Sequence, residues 1–118
     1  MRLYGVRVFV RDLDQARRFY RDTLGLKVRW ELNPAAIGFD LGADLIVEAV
    51  PGDAPADDLA LVGRFVGCSI AVDDIDATFA DLSAKGVEFT HQPERQPWGG
   101  VLAHFKDPSG NVLTLLGQ

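Results

Sequence analysis

Cysteine, histidine and methionine are scarce in this chain of 118 residues, which has one Cys, two His and one Met. The single Cys68 excludes an internal disulfide and a zinc site built from paired thiolates. No apolar run approaches the ~20 residues that span a bilayer, and the first residues lack the pattern of a secretory leader. We therefore expect a cytoplasmic protein with no membrane partner.

Positive charge is also in short supply. Twelve Lys and Arg stand against seventeen Asp and Glu, for a net charge of -5. A nucleic-acid binder presents a basic face, whereas the densest basic group here (Arg17, Arg18 and Arg21) fits the solvated side of one helix. We expect no nucleic-acid partner. With 47% apolar residues, the chain is long enough for one hydrophobic core, so residues 1–118 are predicted to form a single domain.

An internal repeat organises the chain. The segment GVRVFVRDLD at residues 5–14 returns as GCSIAVDDID at residues 67–76, which is 62 positions later. In both copies an alternating strand runs into an Asp, an apolar residue and a second Asp. A helical pattern, a Gly and a second strand then follow. Agreement in both residue identity and element order indicates two copies of one structural module.

Each module is predicted to run strand, helix, strand, strand, strand. Asp12 and Asp74 are expected to cap the helices, and Gly25 and Gly86 to end them. The later strands are predicted over residues 26–32, 36–41 and 44–50, and over 87–91, 101–105 and 111–116. Module one then covers residues 1–50, an acidic linker 51–66, and module two 67–118.

The alternation in the first strands assigns their two faces. Val6, Val8 and Val10, with Cys68, Ile70 and Val72, are expected to pack under the helices. The other face then carries Gly5, Arg7 and Phe9 in one module and Gly67, Ser69 and Ala71 in the other. Two curved sheets would enclose a cup between those second faces. A cup of this kind is the expected site for a small organic ligand.

The chain resembles the vicinal oxygen chelate superfamily of glyoxalases, bleomycin resistance proteins and extradiol dioxygenases. The likeness is carried by VRDL at residues 10–13, FYRDTLGL at 19–26, VDDI at 72–75 and DPSGN at 107–111. The resemblance implies an α+β fold of two βαβββ modules in tandem, with paired curved sheets around the cup. It says little about activity, because the fold hosts unrelated chemistries.

Metal-dependent members of that family hold one divalent ion in the cup. Its ligands are a His from the first strand of each module and a Glu from the last strand of one or both. Carried onto this chain, the two His positions are Gly5 and Gly67, and one Glu position is Thr114. Only Glu48 is then a residue type that binds metals. One carboxylate cannot hold a catalytic transition metal, so we expect no metal and no other cofactor.

Glu48 and His104 are the candidate catalytic residues. Glu48 could pair with Arg7, bind a cationic ligand, or act as a base with a raised pKa. His104 is expected on the cup side, where ligand binding, general-base chemistry and simple hydrogen bonding are all open to it. A metal site rebuilt from Glu48 and His104 also stays open. His91 is interpreted as a strand-end residue.

Aromatic side chains are the remaining candidates for the cup. Phe9 is assigned to the cup face, and Trp98 lies in the turn-rich segment QPWGG at residues 96–100. Such rings stack on planar ligands. Trp30 is interpreted as a core or dimer contact, and its facing is left open.

Two functions of different class follow. The first is metal-independent binding or sequestration of an aromatic, cationic or amphipathic compound, as in the family's drug-sequestering antibiotic resistance proteins. The second is a glyoxalase-like lyase, isomerase or dioxygenase that uses Glu48 and His104, with or without a divalent metal. No nucleophile with its base is visible, which favours binding. Small members of the family imply a homodimer whose cup is shared between subunits. The expected ligand-binding residues are Arg7, Phe9, Glu48, Ser69, Trp98, His104 and Thr114.

Overall fold

Two sheets carry most of the regular structure. The computed structural model describes residues 1–118. The first sheet has four strands and the second five. This arrangement confirms the predicted α+β class. The strands are β1 Gly5–Val10, β2 Lys27–Leu32, β3 Ala36–Leu41, β4 Ala43–Ala49, β5 Phe65–Ala71, β6 Glu88–Phe89, β7 Glu94–Arg95, β8 Val101–Lys106 and β9 Val112–Gly117.

The chain divides into two compact units. Unit one comprises Met1–Arg64 with Pro108–Asn111, and unit two comprises Phe65–Asp107 with Val112–Gln118. The turn between β8 and β9 therefore belongs to unit one. Its Asn111 side chain accepts hydrogen bonds from the backbone of Gly63 at 2.9 Å and donates one to the Phe9 carbonyl at 2.7 Å.

Both sheets place the first strand of the unit beside the last. In unit one the strand order is β1-β4-β3-β2, and β1 runs parallel to β4. In unit two the order is β5-β9-β8-β6, with β5 parallel to β9 and β7 paired with β8. The other pairings are antiparallel. Two parallel neighbouring strands must be joined by a crossover connection. In each unit, the helix that follows the first strand is part of this connection.

The two helices that the sequence predicts begin where they are expected. α1 is Leu13–Arg17, α2 is Ala56–Leu59 and α3 is Ile75–Ala84. Asp12 accepts a hydrogen bond from the amide of Gln15, and Asp74 accepts one from the amide of Ala77. These contacts confirm both predicted N-caps. No helix is both long and apolar enough to cross a membrane.

The predicted first helix is not α-helical throughout. After Arg17 it continues as a π-helix over Arg18–Thr23, where the amide of Leu24 donates to the carbonyl of Phe19. Phe19 and Tyr20 are adjacent in this π-helix and both are buried, and their rings meet edge to face with centroids 5.1 Å apart.

Other departures lie in the second half of the chain. The segment expected to be a linker contains α2, and β5 already begins at Phe65. The strand predicted over residues 87–91 shortens to Glu88–Phe89, which leaves His91 beyond its end, and the two-residue strand Glu94–Arg95 was not predicted. These segments are too short for periodicity to identify.

The buried faces follow the predicted alternation. Of the residues predicted to pack under the helices, two are buried (Val8 and Val10) and four are half-buried (Val6, Cys68, Ile70 and Val72). The last strands bury Leu45 and Val47 in unit one, and Leu113 and Leu115 in unit two. The opposite face of each sheet is called its open face. It carries Arg7 and Phe9 in unit one, and Ser69 and Ala71 in unit two. Glu48, which pairs with Phe9, and Thr114, which pairs with Ser69, lie on these open faces as well.

Candidate functional site

An ion pair between Arg7 and Glu48 lies at the end of the open face in unit one. Arg7 Nε donates to Glu48 Oε1 at 2.7 Å, and Arg7 Nη2 donates to Glu48 Oε2 at 2.9 Å. The guanidinium carbon also lies 5.1 Å from the centroid of the Phe9 ring. The Glu48 carboxylate raises the pKa of Arg7, first through these hydrogen bonds and then through charge attraction. Of the alternatives for Glu48, the structure shows the pair with Arg7.

The ion pair forms one wall of a cleft of about 240 Å³. Asp58 of α2 adds a second carboxylate to the lining. The remaining lining side chains are small or apolar: Ala49, Val50, Pro51, Ala54 and Leu61. The cleft therefore combines an aromatic ring, two carboxylates and an apolar surface within unit one.

Trp30 lies on the same open face, which answers the question of its facing. It pairs with Gly38 in the β2–β3 register, and a Cβ built on Gly38 would lie 2.2 Å from the indole nitrogen. Only a glycine lets the indole ring lie this close to the strand. Trp30 Nε1 donates to Asp44 Oδ2 at 2.9 Å, and Arg29 Nε lies 2.7 Å from Asp44 Oδ1. Trp30 thus serves the structure of the sheet.

The open face of unit two carries rings in place of an ion pair. His104 on β8 faces Thr114 on β9, and a hydrogen bond of 2.8 Å joins His104 Nδ1 and Thr114 Oγ1. The rings of Phe65 and His91 approach His104 edge to face, with centroid distances of 5.7 and 5.3 Å. His91 Nδ1 donates to the carbonyl of Gln92. His104 is therefore oriented by a hydroxyl and bordered by two rings.

Ser69 and Trp98 complete the predicted set. Ser69 is exposed and pairs with Thr114 in the β5–β9 register. Trp98 is 65% exposed, and its ring lies against Gly100, where an added Cβ would be 2.0 Å from it. Unit one thus brings together Arg7, Phe9 and Glu48, and unit two brings together Ser69, His104 and Thr114. Their role in ligand binding stays a prediction.

The strand register corrects the assignment of Glu48 to a metal-ligand position. The repeat aligns Arg7 with Ser69, and these residues pair with Ile46 and Thr114. The counterpart of Thr114 in unit one is therefore Ile46, two residues before Glu48. Glu48 pairs with Phe9 and corresponds to Leu116 instead. All four positions thus hold non-ligating types, namely Gly5, Ile46, Gly67 and Thr114.

These positions do not fit the family's metal. A Cβ on Gly5 would lie 2.6 Å from the Asp44 carbonyl oxygen and 3.1 Å from Ile46 Cδ1, so a histidine there would collide with the sheet. Gly67 has φ of +72° in the β5 irregularity, a conformation that side chains rarely adopt. No group of three or more His, Cys, Asp or Glu side chains is placed to hold a metal ion.

Comparison with known proteins now identifies the family. The sequence profile of the Glyoxalase/Bleomycin resistance protein/Dioxygenase superfamily matches residues 2–115. The chain belongs to this superfamily. The resemblance drawn from the sequence motifs is thereby confirmed, as is the α+β fold with two sheets.

Relatives within the superfamily match nearly the whole chain. YraH of Bacillus subtilis strain 168 is 30% identical, covering 98% of this chain and 97% of YraH. A bleomycin resistance protein of Klebsiella pneumoniae is 29% identical, covering 90% of this chain and 84% of its own length. The crystal structure of TnmS3, an antibiotic binding protein from Streptomyces sp. CB03234, is 28% identical with a TM-score of 0.75, covering 99% of this chain and 95% of TnmS3.

Sequence reasoning missed two residues of these faces. Phe65 was placed in the linker, although the apolar residues of FVGCSIA at 65–71 already resemble a strand. Ile46 has no ligating group, so its residue type alone gives no sign of a metal-ligand position, whereas the carboxylate of Glu48 does. Matching Leu45 and Val47 with Leu113 and Leu115 would have aligned Ile46 with Thr114.

Proposed function

We propose that this superfamily member is a metal-independent small-molecule-binding protein that sequesters an aromatic or cationic hydrophobic compound and releases it unchanged. The observation that carries the proposal is the chemistry at the four metal-ligand positions. These positions hold two glycines, an isoleucine and a threonine. The metal ion that the family's metal-dependent reactions require therefore has no ligand set there.

The open faces supply what such a binder needs. Unit one offers an aromatic ring and carboxylates beside an apolar cleft, and unit two offers the exposed ring of Phe65 beside His104. Planar ligands stack on rings of this kind, and carboxylates attract cations. The antibiotic-binding and bleomycin resistance relatives support the same class of function.

Equilibrium dialysis against bleomycin and against the planar cation ethidium tests the proposal. Protein purified in EDTA is expected to retain at least one of them, and mass spectrometry is expected to recover the compound unchanged. Chemical conversion of the compound, or binding that appears only after a divalent metal is added, would contradict sequestration and favour the enzyme alternative through Glu48 and His104.

A homodimer in the cytoplasm belongs to the same proposal. Strand β2 stands at the edge of the unit-one sheet, and an unpaired strand edge can pair with another chain. Large apolar side chains such as Leu32 and Phe65 are exposed. Light scattering at micromolar concentration is expected to give twice the mass of one chain, and a single-chain mass would count against the dimer. Cell fractionation checks the location.

A further inference from the structure

We propose that Arg7 is a built-in occupant of a cation site formed by Glu48 and Phe9, and that a planar amidinium or guanidinium group of a ligand displaces it. This inference rests on the proposed binding function and names the ligand class for the cleft in unit one. It assigns Arg7 the role of an internal competitor.

The contacts of Arg7 are those that such a ligand would make. Two parallel N–H groups of the guanidinium meet the two oxygens of Glu48 at 2.7 and 2.9 Å. The same planar cation lies within 6 Å of the Phe9 ring, at 5.1 Å. A carboxylate fork and an aromatic surface together select planar cations with paired N–H donors.

Arg7 is held weakly enough to leave. Its side chain is 62% exposed, whereas that of Glu48 is 25% exposed. Water can therefore compete for the guanidinium, and the long Arg side chain regains conformational freedom when it is released. Glu48 and Phe9 are paired residues on neighbouring strands, so the sheet keeps the carboxylate and the ring together after Arg7 swings into solvent.

A second carboxylate in unit one shows the contrast. Asp44 is 5% exposed and is held by both Arg29 and the indole nitrogen of Trp30. A ligand cation would there have to reach a buried carboxylate and displace two donors from it. The Glu48 pair is therefore the exchangeable one, and the Asp44 pair is structural.

The cleft beside Glu48 suits one end of a ligand. Its volume of about 240 Å³ lies below the roughly 300–1,000 Å³ of sites that enclose a whole drug-sized molecule. Asp58 adds negative charge, and Val50, Pro51 and Leu61 add an apolar lining. A cationic head with one attached ring matches this combination.

Calorimetric titration with benzamidinium, and with neutral benzamide as the isosteric control, tests the proposal in EDTA. We expect the wild-type protein to bind benzamidinium and R7Q to bind it about tenfold more tightly, because the occupant that lowered the population of the open site is gone. R18Q removes the same charge from an exposed position on the π-helix and is expected to change the affinity less than twofold. Benzamide binding should not respond to R7Q.

The variants E48Q and F9L complete the test. Both are expected to weaken benzamidinium binding at least fivefold, and circular dichroism checks that each is folded. Weaker or unchanged binding in R7Q, an equal gain in R18Q, or no benzamidinium binding in any variant overturns the proposal. If E48Q does not fold, the comparison of R7Q with R18Q still decides. Turnover of bleomycin, or a metal requirement for its binding, would overturn the proposed function and leave this order of affinities intact.

Discussion

The two units begin from the same pattern and carry different chemistry on their open faces. At the end of the sheet, unit one has Phe9 beside Glu48, whereas unit two has Ala71 beside Leu116. The buried counterparts are conservative by comparison: Leu45 matches Leu113, and Val47 matches Leu115. Buried positions must fill a closely packed core, while open positions are free to change. The difference teaches that the repeated module fixes the scaffold and leaves the residue types of the open face free to differ between the units.

Truncating one core ring in each unit is the strongest test of that shared scaffold. Phe39 in unit one and Phe105 in unit two are both fully buried. F39A and F105A are each expected to lower the free energy of unfolding by about 3–5 kcal/mol, since each loses buried area and leaves a cavity. Urea denaturation measures both. A loss near zero in one variant would show that the two cores are not equivalent.

Removing the buried carboxylate of unit one tests a feature that unit two lacks. Val112 stands in unit two where unit one has Asp44, which binds Arg29 and the indole nitrogen of Trp30. D44A is expected to cost about 1–3 kcal/mol because both donors lose their acceptor. W30F removes only the indole N–H and should cost less. Equal stability of D44A and wild type in urea would refute the anchoring role.

Gly5 and Gly67, at the positions of the family's metal-binding histidines, are both predicted to be required for stability, for different reasons. Gly67 has φ of +72°, whereas a Cβ on Gly5 would press on the Asp44 carbonyl oxygen. G67A is expected to cost about 1–2 kcal/mol from backbone strain, and G67N less, because Asn tolerates this conformation. Thermal denaturation checks the order. If G67N is less stable than G67A, side-chain crowding rather than backbone conformation governs the site.

The smallest expected effect concerns Cys68, whose counterpart in unit one is Val6. Partial burial raises the pKa of the Cys68 thiol. Less thiolate is therefore present at a given pH, and iodoacetamide at pH 8 should modify native Cys68 more slowly than the urea-unfolded chain. C68V preserves the shape and is expected to change stability by less than about 1.5 kcal/mol. Equal alkylation rates before and after unfolding would contradict the burial argument.

Much of the fold could be predicted because its signals are local. The caps Asp12 and Asp74 precede their helices directly, and the strand alternation needs only a few neighbouring residues. The π-helix at Arg18–Thr23 could not be predicted in this way. In it Phe19 and Tyr20 are both buried, and the ring of Tyr20 contacts Phe39, which lies on the distant strand β3.

The candidate site was predictable in its residue types and less so in its positions. Arg7, Phe9 and Glu48 were expected on one face, and the alternation of β1 with the parallel register of β4 places them there. The assignment of Glu48 to a metal position was wrong by two residues, because spacing along one strand does not reveal the register of its neighbour.

The sequence by itself determined the repeat, the two capped helices, the alternating strands and the presence of glycine, not histidine, at positions 5 and 67. These features rest on hydrogen bonds between near neighbours and on residue identity. Only the tertiary structure decided that Ile46 faces Gly5, that Trp30 lies over Gly38, and that Phe65 meets His104. These contacts join strands distant in the chain, and their register follows from the packing of whole sheets rather than from any local pattern.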